Sequence, residues 1–161
     1  MMLVLERRVR VVYERNTVCR RSRSRRSGLL TMKAVRVIRN ADIIAFPSAG
    51  NGSGVARHIA EQAIPEMSQK EMLPLIFPMV KADLSEEHRA TAEQLQKKLE
   101  TGKNVVFLTL GDPGFYSTSY HFIGLLAQND YPVKIVSGVP SFSAASARLK
   151  MPFQIPTCLC S

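Results

Sequence analysis

The stretch NVVFLTLGDP, Asn104 to Pro113, decides the fold. Its apolar residues follow one another without the alternation of a half-exposed strand, which is the pattern of a strand buried on both faces. Such a strand needs helices above and below the sheet, so the flanking sequence has to alternate between helix and strand periods. It does so in both directions. Towards the N-terminus, Asp83 with Glu86 three residues on forms a capping-box signature, and the helix it opens runs through Leu95 and Leu99 to Gly102. Before it lies Glu71 to Phe77 (EMLPLIF), a weaker strand that Pro74 confines to an edge or a bulge. Val55, Ile59 and Ala63 mark another helix, preceded by the flexible turn AGNGSG from Ala49 to Gly54 and the short buried strand DIIAF from Asp42 to Phe46, closed by Pro47. Leu30, Ala34, Val37, Ile38 and Ala41 fall at helical spacing, with Thr31 placed to cap the start. Towards the C-terminus the spacing predicts a helix over Ser117 to Gln128, a strand over Pro132 to Val136 and a helix over Ser141 to Leu149. The class that follows is α/β with a parallel, doubly wound sheet.

Composition sets further limits. The chain has 161 residues, 45% of them apolar, which suffices for one domain with its own core. Three cysteines, an odd count with two of them crowded at Cys158 and Cys160, argue against a disulfide framework and point to a reducing cytoplasm. No stretch approaches membrane-spanning length, and Met1 to Arg26 lacks the apolar core of a secretory leader. The formal charge of +9 is unevenly placed: residues 1–28 hold nine Arg and two Glu, a net +7, and leave +2 for the rest. Dense arginine around CRRSRSRRS, Cys19 to Ser27, reads either as a disordered solvated tail or as an arm for nucleic acid or a membrane surface. The arm reading carries the alternative function, a non-enzymatic nucleic-acid-binding protein, and predicts steeply salt-dependent binding that is lost on deleting residues 1–28.

Ligands of an open parallel sheet bind beyond the carboxyl ends of its strands, so Leu110 to Thr118 is the first place for chemistry. Gly111 permits close backbone approach, Asp112 offers an anionic acceptor, Pro113 stiffens the loop, and the hydroxyls of Ser117 and Thr118 precede a helix N-terminus. A second turn at a strand end, Ser137 to Ser141 (SGVPS), leads into a helix rich in Ser and Ala. Gly50, Gly52 and Gly54 lack the spacing of a dinucleotide loop, and no acidic ribose ligand follows about 20 residues later, which disfavours an oxidoreductase. His58, His88 and His121 lie on separate helices without ligand spacing, so no metal site is expected.

The two turns together, LGDP with FYST at Leu110 to Thr118 and GVPSFSAA at Gly138 to Ala145, resemble the tetrapyrrole (corrin/porphyrin) methyltransferase family, and within it the precorrin-2 C20-methyltransferases. LLTMKAVRVIRNADIIAF at Leu29 to Phe46 and LIFPMV at Leu75 to Val80 fit the same group, and the resemblance extends over Leu29 to Pro152. It implies the parallel-sheet N-terminal α/β domain of that fold over residues 29–136. The start of a second α/β domain follows over residues 137–161, most of it missing because the chain stops at Ser161. It also implies a homodimeric enzyme that methylates a reduced tetrapyrrole with S-adenosylmethionine, acting on precorrin-2 or its cobalt counterpart in cobalamin biosynthesis, without nucleic acid or membrane. By the same resemblance, Leu110, Gly111, Asp112, Phe115, Tyr116 and Ser117 would hold the cofactor from one side and Pro140 and Ser141 from the other. No catalytic base is implied.

Two departures accompany it. Ser137 stands where the family has proline, and a strand with a turn of the form G-x-G-P-G-D-P is expected just before Leu29, where Arg20 to Gly28 stands instead. Joining the last two bases of each codon to the first base of the next, permissible codons for Thr17 to Ser27 spell Leu-Tyr-(Ala or Val)-Val-Gly-Val-Gly-Pro-Gly-Asp-Pro, which is that strand and turn. The expectation is that one base is missing near the Gly28/Leu29 junction and that residues 1–28 are translated out of phase. A sheet lacking its first strand would then leave a neighbour's apolar edge unpaired, and the chain would tend to aggregate.

Overall fold

The computed structural model describes residues 2–3, 9–13, 27–48, 53–76, 85–115, 117 and 119–151. In chain order these form β1 (Met2–Leu3), β2 (Val9–Tyr13), α1 (Met32–Arg39), β3 (Ile43–Ser48), α2 (Val55–Ala63), β4 (Glu71–Ile76), α3 (Ser85–Glu100), β5 (Val105–Thr109), α4 (Ser119–Gln128), β6 (Lys134–Val136) and α5 (Ser141–Leu149), with short 3-10 turns at Ser27–Leu29 and Pro65–Gln69. The sheet order is β1-β6-β2-β5-β3-β4. All pairings are parallel except β1 with β6.

The uninterrupted apolar run of β5 acquires its meaning from the two-residue period of a strand. All of β5 is buried, and its residues are divided between two cores. Val106 and Leu108, with Ile44 and Phe46 of β3, face Ala34, Val37 and Ile38 of α1 and Ala56 and Ala60 of α2. Val105 and Phe107, with Ile43 and Ala45, face Ala92, Leu95 and Leu99 of α3 and Phe122, Ile123 and Leu126 of α4. Phe107 and Phe122 meet edge to face at 4.9 Å, an arrangement worth about 1 kcal/mol beyond the area it buries.

Local signals place the ends of several elements. The Thr31 hydroxyl accepts the Ala34 N–H at 3.2 Å and starts α1. Lys70 Nζ donates to the carbonyls of Arg39 and Ala41 at 2.9 and 2.7 Å, which satisfies acceptors where α1 ends. α3 ends before Gly102, as the sequence predicts. The expected cap at Asp83 lies outside the described residues, although Glu86 and Glu87 do occupy the first turn. Pro74 sits in β4 at the edge of the sheet, where a missing N–H is tolerated.

Two expectations need correction. Pro47 does not close β3, because the strand continues to Ser48 in register with β4, with Pro47 opposite Leu75. The ladder to β5 ends at the Ala45 and Phe107 pair, so Pro47 lies where β3 has one paired neighbour. The second correction concerns the open edge. Val9–Tyr13 pairs with Val105–Thr109 on one side and with β6 on the other, so β5 has a strand on both flanks.

Candidate functional site at the carboxyl ends of the strands

The helices reveal where a ligand fits. α1 and α2, which follow β2 and β3, cover one face of the sheet, whereas α3 and α4, which follow β4 and β5, cover the other. The chain therefore leaves β5 towards one face and leaves both neighbours of β5 towards the opposite face. Such switch points open a crevice beyond the carboxyl ends of the strands. β3 and β5 also part there, since their ladder stops at Ala45 while β3 runs on three residues with β4 and β5 runs on to Thr109 with β2.

Gly111 is the first residue of the turn that enters this crevice. It is buried and has φ of 79°, a conformation costly for any residue with a Cβ. Asp112 follows and is 9% exposed. One carboxylate oxygen accepts the Gly114 N–H at 2.7 Å and closes the turn on itself. The other accepts the Gly138 N–H at 3.0 Å and ties this turn to the one after β6. Burial pushes the carboxyl up, but hydrogen bonds, including those from the Gly114 and Gly138 amides, outweigh it and hold the group below its ordinary value. A charged carboxylate thus sits in the crevice.

The second turn is brought in by three links. Besides the Asp112 bond to Gly138, the Thr31 hydroxyl donates to the Ser137 carbonyl at 3.3 Å. Phe115 and Phe142 meet edge to face at 5.3 Å and 81°, although 48% and 42% exposed, and form an apolar wall across the two turns. Pro140 is the N-terminal cap residue of α5, with φ of −62° preset by its ring, and Ser141 is the first residue of that helix. No residue of α5 is buried.

Of the residues singled out from sequence, Gly111, Asp112, Phe115, Pro140 and Ser141 therefore lie on two turns that converge. Leu110 packs against the core on the α1 and α2 side. Ser117 is used locally: its hydroxyl pairs with that of Ser119 at 2.6 Å and accepts the Ser119 N–H at 3.3 Å. Tyr116 and Thr118 lie outside the described residues, as do Gly50, Gly52, Cys158 and Cys160. Gly54, the one described glycine of its turn, is required for close packing, since a Cβ there would stand 2.5 Å from the Phe46 ring.

Sequence reading missed Ser48. It is 5% exposed at the end of β3, and its hydroxyl is buried with no hydrogen-bond partner among the described residues. The signal was a polar residue between a buried strand and a glycine-rich turn, hidden by taking Pro47 as the strand end.

A cavity of 610 Å³ lies at the opposite edge of the sheet, lined by Leu99 to Gly102 and Asp130 to Pro132. These loops lead into the amino ends of β5 and β6, where the connections do not diverge, so the cavity is a poorer candidate than the crevice. Among the described residues no cluster of His, Cys, Asp and Glu could hold a metal, and no helix is long and apolar enough to cross a membrane.

The chain is 37% identical over 134 residues to cobalamin biosynthesis protein CobIJ of Mycobacterium tuberculosis, an alignment covering 77% of this chain and 26% of that protein. It is 34% identical to the probable cobalt-precorrin-2 C(20)-methyltransferase of Methanocaldococcus jannaschii, covering 77% and 53%. It is 37% identical to the cobalt-precorrin-2 C(20)-methyltransferase of Salmonella typhimurium, covering 79% and 54%. The chain thus spans about a quarter of the first relative and about half of the other two. Among solved structures it resembles a cobalt precorrin-4 methyltransferase of cobalamin biosynthesis, with a TM-score of 0.60 at 25% identity over 81% of this chain and 48% of that one. It also shares the fold of a uroporphyrin-III C-methyl transferase from Thermus thermophilus complexed with S-adenosyl homocysteine, with a TM-score of 0.53 at 24% identity over 74% and 46%. The family model for tetrapyrrole (corrin/porphyrin) methylases matches residues 26–159, which takes in both converging turns, and this chain belongs to that family.

Proposed function

We propose that the chain takes part in S-adenosylmethionine-dependent methylation of precorrin-2, or of its cobalt-containing counterpart, at carbon 20 of the macrocycle in cobalamin biosynthesis. The observation that carries this reading is the convergence of the Gly111–Phe115 and Gly138–Phe142 turns at the switch points of β5. Relatives named for the C20 reaction support the substrate, and the half of their length not spanned here has to supply the rest of the site. A homodimeric, cytoplasmic enzyme belongs to the same reading.

The residues present fit the methyl donor. Gly111 brings backbone into the crevice without a side chain, the ionised Asp112 suits a ligand with cationic groups, and the buried Ser48 hydroxyl lies at the crevice without a partner among the described residues. When bound, the donor supplies a methyl group already activated on a sulfonium. The chain's own work is then binding, orientation and exclusion of water. Asp112 holds the two turns at a fixed separation, Gly111, Pro140 and Ser141 flank the ligand, and Phe115 and Phe142 offer an apolar surface to the macrocycle. No step here requires a protein base.

Calorimetric titration of this chain, and of a longer version with the reading phase before Leu29 restored, with S-adenosylhomocysteine tests the reading. Both are expected to bind it, the longer version more tightly because it adds the G-x-G-P-G-D-P turn and the remaining domain. Absence of binding by both refutes the proposal. Sequencing the Gly28/Leu29 junction tests the phase separately: a single intact frame across it removes the grounds for restoring one.

A further inference from the structure

A buried hydroxyl without a partner is a costly thing for a folded chain to keep. Among the described residues Ser48 is such a group, and its position is informative. It shares a sheet face with Phe46 and Ile44, because side chains alternate along a strand, and Leu110 shares that face with Leu108 and Val106. Continuing the register of Ala45 with Phe107 by three residues sets Ser48 level with Leu110, immediately before Gly111. This is where β3 and β5 part. The hydroxyl is buried without a partner among the described residues, at the point where the β3–β5 ladder has ended.

We infer that Ser48 is a further ligand-binding residue of the site, its hydroxyl hydrogen-bonding a polar group of the nucleoside–amino-acid methyl donor from the β3 side, opposite Gly111. The inference rests on the reading given under Proposed function and extends it to a residue on a third strand-end turn. It explains why β3 carries its ladder with β4 through a proline to end on serine: the extension delivers the hydroxyl to the crevice.

The test uses this chain and its Ser48→Ala and Ser48→Thr variants, titrated with S-adenosylhomocysteine and melted without ligand. Wild-type binding separates the two claims: a wild type that does not bind overturns this inference, whereas the functional reading falls only if the longer version also fails to bind. Given wild-type binding, Ser48→Ala is expected to weaken affinity about tenfold, the ordinary worth of one hydrogen bond, and Ser48→Thr to restore most of it. The ligand-free melting temperature of Ser48→Ala is expected to equal or exceed that of wild type, because the variant removes an unsatisfied group. Equal affinities for wild type and Ser48→Ala overturn the inference. A lower ligand-free melting temperature for Ser48→Ala also overturns it, since the hydroxyl would then have an internal partner.

Discussion

The two ends of the sheet are built on different principles. At the amino end, charged side chains hold elements together: Glu71 at the start of β4 takes Lys98 of α3 at 2.5 Å and Lys103 of the following loop at 2.6 Å. Asp42 accepts the Asn104 N–H at 2.7 Å, while the Asn104 carbonyl accepts the N–H groups of Asp42 and Ile43. At the carboxyl end the Asp112 carboxylate ties the two turns through backbone amides, beside the Thr31 hydroxyl and the Phe115 and Phe142 contact. Around it are a glycine in a left-handed conformation, a hydroxyl with no partner among the described residues and an exposed aromatic pair. The amino end is held by exposed ion pairs, whereas the carboxyl end is held by hydrogen bonds to one buried carboxylate and by an exposed aromatic contact.

Substitutions should separate the two ends. The largest effect is expected from Asp112→Ala, which strands the Gly114 and Gly138 amides and uncouples the turns. Stability should fall by about 3 kcal/mol in urea unfolding, and S-adenosylhomocysteine binding should drop by more than tenfold. A variant of near wild-type stability and affinity would show that Asp112 does not join the turns. Next comes Gly111→Val, which forces a β-branched residue to adopt positive φ and should cost about 2 kcal/mol by the same measurement.

Acid offers a third test of the carboxyl end. Because Asp112 is held below its ordinary value, its contribution is complete above the unfolded-state pKa of about 4 and is lost as pH falls through the lower folded-state value. The stability gap between wild type and Asp112→Asn should therefore stay level from about pH 7 to 5 and shrink below about pH 4. A gap that is unchanged in acid would remove the charge from the explanation. The smallest effect is expected at the amino end. Lys103 and then Lys98 hold the Glu71 carboxyl below its ordinary value, but both pairs are exposed to water. Glu71→Gln should cost less than about 1 kcal/mol and lose even that in molar salt. A salt-independent loss would show that Glu71 acts through packing rather than charge.

Much of the architecture was legible because it depends on neighbours in sequence. The unalternated run before Gly111 announced a strand buried on both faces, Thr31 announced a helix start, and Pro74 announced an edge strand, each through a short-range physical rule. The motif residues Gly111, Asp112, Phe115 and Pro140 were legible locally as two separate turns. Their meeting was expected only through the family resemblance, because the bond from Asp112 to Gly138 spans 26 residues and depends on which strands lie side by side. The strand at Val9–Tyr13 was obscured by the arginines around it, which dominate the composition of residues 1–28.

By itself, then, the sequence determined the class of fold, the ends of most elements and the turns that carry the family motif, since periodicity, capping and backbone-restricted residues act over a few positions. The tertiary structure decided that β5 lies between two strands whose connections leave on the opposite face, that β3 runs through Pro47, and that Ser48 ends β3 buried, with its hydroxyl unpaired among the described residues. Sheet order and the parting of two strands are properties of long-range packing, and no local pattern of residues encodes them.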